Sequence, residues 1–88
     1  MNYSIVMAAE ADEDLADAWM SARDPTAVAR AMNEAERILS VNAVGSSESL
    51  AEGLRRLKVE PILVYSRVEV PRHLVEVLNI RLILSDSP

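Results

Sequence analysis

Eighty-eight residues, half of them hydrophobic and only 3% aromatic, make one domain, residues 1–88, with an aliphatic core; disorder is excluded. The net charge of −5 runs against the cationic footprint of a nucleic-acid binder. With no cysteine, a disulfide scaffold and a thiolate metal centre are excluded, and the composition fits a reducing cytoplasm. No apolar run approaches the ~18 residues of a membrane span. The N-terminus lacks a basic segment followed by an apolar run, which predicts no secretion signal.

Asn2–Met7, "NYSIVM", alternates enough to predict a short strand. "AAEADEDLADAWMSAR" then changes period. Ala8, Ala11, Leu15, Ala18, Trp19 and Ala22 recur at three- and four-residue steps, the apolar stripe of an amphipathic helix. Its early carboxylates suit the positive end of the helix dipole. Asp24 and Pro25 are an N-cap and a first helical residue. They open a second helix over Pro25–Ser40, with Val28, Ala31, Met32, Ala35, Ile38 and Leu39 as its stripe. The alanines on both helices predict a closely packed antiparallel hairpin. Asn42, Gly45, Ser46 and Ser47 mark a loop that Gly53 closes, with Leu50 tucked against the domain.

After Gly53 the chain reads as strand. Leu54–Glu60 is one, Pro61 a tight connection, and Ile62–Glu69 a second strand. "VPRH" is a turn. Leu74–Leu84, almost wholly apolar, is a third strand inside the sheet. "SDSP" is a frayed tail. The predicted architecture is α+β, in the order β-α-α-β-β-β. A helical hairpin lies on one face of a mainly antiparallel four-stranded sheet, and the first strand returns as an edge.

Charge is unevenly spread along this frame. Residues 1–53 hold three arginines against ten carboxylates, and residues 54–88 hold six cations against four. Arg56 and Lys58 stand two apart on a strand and so share a face, with Leu57 and Val59 turned to the core. The carboxylates Glu10, Asp12, Glu13, Asp14 and Asp17 lack the spacing of a metal loop and read as a solvated helix face. No cofactor motif is present. Trp19 and Tyr65 read as core residues. His73, in the turn after the second C-terminal strand, reads as an exposed turn histidine.

The order and signposts resemble the RelE/ParE superfamily, toxins of bacterial type II toxin–antitoxin pairs. The pieces that carry the resemblance are "YSIVMAAEADEDLADAW", "AVARAMNEAERILSVNAVG", "RRLKVEPILVYSRV" and "HLVEVLNIRLI". The resemblance implies a cytoplasmic toxin that needs no cofactor or metal. RelE-like members cleave mRNA in the ribosome, and ParE-like members poison DNA gyrase. By the first pattern Arg56, Lys58 and Arg81 bind phosphate and stabilise developing negative charge. Ile62 stands where such ribonucleases often carry an arginine, and no tyrosine or histidine follows Arg81. The alternative is therefore a non-catalytic member acting by protein contact. Either way the apolar C-terminal strands imply a covering partner, a cognate antitoxin or a second copy. Leu54, Ile62, Val64 and Leu82 are the residues expected on that surface.

Overall fold

The computed structural model describes residues 2–83. Leu84, assigned above to the last strand, and the tail Ser85–Pro88 lie outside the described residues. The elements are β1 (Ser4–Met7), α1 (Ala9–Ser21), α2 (Pro25–Ser46), β2 (Glu48–Ala51), β3 (Leu54–Val59), β4 (Ile62–Glu69) and β5 (Leu74–Leu82). A single 3-10 turn, Val70–Arg72, joins β4 to β5. The sheet runs β1-β5-β4-β3-β2, antiparallel except where β1 lies parallel to β5. The predicted α+β layering holds, and β1 is an edge as expected. The sheet has five strands rather than four.

The additional strand comes from the segment expected to be loop. α2 continues beyond Ser40 to Ser46 because Asn42 leaves helical geometry and restarts it. Its Oδ1 accepts from the Gly45 N–H at 3.1 Å, an N-cap in mid-helix. A Cβ at Gly45 would lie 2.6 Å from the Asn42 amide, so a larger residue there would push the Asn42 side chain out of its present position. Glu48–Ala51 then pairs with Leu54–Arg56. Leu50 does not tuck inward; it is 40% exposed.

The core lies between the sheet and the helical hairpin. Asp24 accepts from the Ala27 N–H and Pro25 opens α2, as the sequence predicts. The expected α2 stripe is buried or packed against the core throughout. Ala11, Ala18, Ala31 and Ala35 are all buried, so both helices approach through methyl groups. That close approach leaves no room for an indole. Trp19, one position round from Ala18, is 50% exposed and is not a core residue.

β5 carries an irregularity that decides which residues reach the core. Tyr65 pairs with Asn79 but Ser66 pairs with Val77, which leaves Leu78 as an extra residue. Before it, Val75 and Val77 point inward; after it, Ile80 does, and Leu82 packs on the same core. Uninterrupted alternation would place Val77 and Ile80 on opposite faces. Asp14 of α1 fastens the bulge. Its Oδ2 accepts from the Ile80 N–H at 3.0 Å and from the Asn79 amide at 3.2 Å. Asp14→Ala orphans a part-buried N–H and should lower stability by about 1–2 kcal/mol. A lower urea midpoint together with faster exchange of the Ile80 amide is the expected result.

Candidate functional site: the outer face of the sheet

Both helices cover one face of the sheet, which leaves the other as the candidate surface. Cross-strand register fixes its occupants. Ile62 and Val64 are buried without exposure, so Leu63 and Tyr65 between them point outward. One row reads Glu48, Arg56, Tyr65 across β2, β3 and β4. The next reads Lys58, Leu63, Arg81 across β3, β4 and β5. A third reads Leu54, Arg67, Glu76, Val6 and ends on β1. Half-buried Leu54, Leu63 and Tyr65, with Leu74 beyond them, form an apolar centre among charges.

This placement corrects three of the four residues expected on the partner surface. Ile62 and Val64 belong to the core, and Leu82, paired with Ile62, packs against it. Two features of the fold put these residues on the inner face. The tight turn at Glu60–Pro61, which contains a cis peptide, pairs Val59 with Ile62 and puts both on the inner face. The bulge then carries Leu82 inward. Of the four expected surface residues only Leu54 remains outside. Tyr65, read from its apolar neighbours as core, is an outer-face residue, and alternation from Val64 is the signal that would have found it.

Arg56, Lys58 and Arg81 do share one face, as the resemblance requires. Their surroundings are anionic. Arg56 Nη2 lies 2.6 Å from Glu48 Oε1, and Nε donates to the same oxygen at 3.2 Å. That carboxylate first, and the Tyr65 hydroxyl second, hold the Arg56 guanidinium above its ordinary pKa. Lys58 Nζ is 3.8 Å from Glu60 Oε2. Arg81 lines a small cleft with Asp14, Asp17 and Ser21, where β5 runs past the end of β1. Arg67, opposite Glu76 in the register, makes no ion pair within 4 Å among the described residues.

Neighbouring cations serve the fold. Arg55, adjacent to Arg56 but on the inner face, donates from Nε to Ser47 Oγ at 2.7 Å. Its Nη2 reaches the Val44 and Ser47 carbonyls at 2.9 and 2.8 Å. These groups close the C-terminus of α2, where a cation also meets the negative end of the dipole. His73, left-handed at φ 49°, caps the turn before β5 with its ring 5.3 Å from Tyr3. Eight residue steps along the strand, about 27 Å, separate it from Arg81, so it has no part in a site built on Arg56 and Lys58. Among the described residues no helix is long and apolar enough to cross a membrane.

No family model matches the chain, and no curated protein does. Solved structures do. A chain of the RelBE2 toxin–antitoxin complex from Mycobacterium tuberculosis superposes with a TM-score of 0.78 at 16% identity, covering 93% of this chain and 99% of that one. A chain of the chromosomal ParDE toxin–antitoxin system from P. aeruginosa gives 0.69 at 20% identity, covering 93% and 97%. A chain of the archaeal RelE–RelB complex from Pyrococcus horikoshii OT3 gives 0.67 at 14% identity, covering 93% and 96%. At these identities the likeness is one of fold, and it extends over nearly the whole of each chain.

Proposed function

We propose that this chain is the toxin component of a toxin–antitoxin pair, working in the cytoplasm, and that it acts by gripping a protein with the outer face of its sheet. The fold shared with proteins of three toxin–antitoxin systems supports the first part. One observation carries the second: carboxylates stand beside the cations that RNA cleavage would need. A phosphate approaching Arg56 must displace Glu48 at 2.6 Å, and one approaching Lys58 meets Glu60. Fixed positive charge aimed at the developing anion is what metal-free phosphodiester cleavage draws on. The apolar centre around Leu63 and Tyr65, rimmed by paired charges, has instead the make-up of a protein interface. The antitoxin covers this face in the silenced pair. DNA gyrase, the target of ParE-like members, is the first target to assay.

A second reading keeps the ribonuclease. Its support is the register that sets Lys58 and Arg81 on either side of Leu63, with Arg56 one row away. There Arg56, Lys58 and Arg81 clamp ribosome-bound mRNA. Expression in a bacterium, with and without the neighbouring antitoxin gene, separates the two. The expected result is growth arrest without transcript cleavage, relieved by the antitoxin and retained when Arg56 and Lys58 are both changed to alanine. Transcript cleavage that this double substitution abolishes would establish the ribonuclease. No arrest from the unaltered chain would remove the toxin reading altogether.

A further inference from the structure

The strand β1 is an edge, and its hydrogen bonds are half used. The Ser4 N–H donates to the His73 carbonyl at 2.8 Å and the Ala8 N–H to the Val77 carbonyl at 2.9 Å. In a parallel ladder successive residues alternate sides, so Ser4, Val6 and Ala8 face β5. The N–H and C=O groups of Ile5 and Met7 therefore point away from the sheet. Among the described residues no strand pairs with them. The Tyr3 N–H, one residue earlier, is taken by the Ser40 carbonyl.

Open edges are guarded by shortness, which both four-residue edge strands share, and further by charge, proline or a bulge. The opposite edge has two such guards: β2 begins with exposed Glu48 and is bulged between Ser49 and Ala51. β1 has neither. Asn2–Met7 contains no charged residue and no proline, in a chain that is 26% charged. Val6, 47% exposed, stands on the outer face beside this edge.

We infer that β1 is a self-association strand, pairing antiparallel with β1 of a second copy about a twofold axis to join two five-stranded sheets into one. Twofold pairing requires a strand complementary to itself. With the axis at Val6, Ile5 of each copy lies opposite Met7 of the other. These are the residues with free groups, and the two pairs together exchange four hydrogen bonds. Val6 then faces Val6 across the close, non-hydrogen-bonded position, apolar against apolar on the outer face. A net charge of −5 per copy resists association wherever carboxylates meet. β1 is a strand edge on which two copies can touch without setting one carboxylate against another. A charged partner strand would find no counter-charge there.

The test is the mass of the full chain in solution over a dilution series, with amide exchange resolved at Ile5 and Met7. It does not depend on what the chain acts on. The expected result is a dimer in which both amides are protected. Val6→Lys sets like charges across the axis from an exposed position. It should yield a folded monomer in which both amides exchange freely, whereas Val6→Ile stays dimeric. A monomeric parent chain would overturn the inference. So would a dimer that survives Val6→Lys, or one whose Ile5 and Met7 amides exchange as in a monomer, because either places the contact elsewhere.

Discussion

Replacing Arg55 with alanine should cost about 2–4 kcal/mol of folding stability, whereas replacing Arg56 should cost under about 1 kcal/mol, although the two are neighbours of identical chemistry. Arg56 lies on the outer face, and its bond to Glu48 is a solvent-exposed ion pair, a type that contributes little. Arg55 makes three charge-assisted hydrogen bonds, to Ser47 Oγ and to the Val44 and Ser47 carbonyls, each of a kind worth ~1.5–3 kcal/mol when fully formed. Partial exposure reduces the sum. The loss is also cooperative, because those acceptors terminate α2 while Ser47 leads directly into β2, and Ser47 Oγ itself donates to the Ala43 carbonyl. Arg55→Lys should recover little, since a single ammonium cannot span acceptors that the planar guanidinium reaches from two nitrogens. Urea unfolding followed by circular dichroism checks this. Equal midpoints for Arg55→Ala and Arg56→Ala would refute it.

That contrast marks how far the sequence could be read. Period-3.6 stripes in the helices and the Asp24–Pro25 cap are local signals, and apart from Trp19 the structure reproduces them because alanine-lined faces and capping act within a few residues. The edge position of β1 followed from the order of the elements, and the placement of Arg56 and Lys58 opposite Leu57 followed from alternation. Three features were hidden for physical reasons. The strand Glu48–Ala51 has no β-branched residue and is exposed along its whole length, so it shows no pattern, and its pairing is settled by β3. The kink at Asn42 extends α2 through a side chain bonded to its own backbone, in a stretch whose Asn, Gly and Ser otherwise spell loop. The bulge at Leu78 depends on Asp14, more than sixty residues earlier. No window of sequence contains that contact, and the bulge it fastens is what turns Ile80 and Leu82 inward. The same bulge explains Leu82: alternation from Leu74 places it on the outer face, and the extra residue Leu78 turns it inward.

With register corrected, the centre of the outer face is Leu63 and Tyr65 on β4, the middle strand of five. Interface energy concentrates on a few central aromatic and aliphatic groups ringed by weaker contacts. Tyr65 combines a large apolar ring with a hydroxyl beside Arg56, and Leu63 sits between Lys58 and Arg81 in the register. Truncating either to alanine should weaken the complex with the proposed antitoxin by about 2 kcal/mol, roughly 30-fold in Kd. Stability of the free chain should fall much less than for a core truncation, since both side chains are only half-buried. Lys58→Ala, at a solvent-exposed ion pair, should change affinity by less than about fivefold. Titration calorimetry on the purified pair gives all three numbers. The opposite ranking, with Lys58 dominant and Leu63 neutral, would mean that the face recognises its partner by charge, and the protein-gripping surface proposed for it would have to be abandoned.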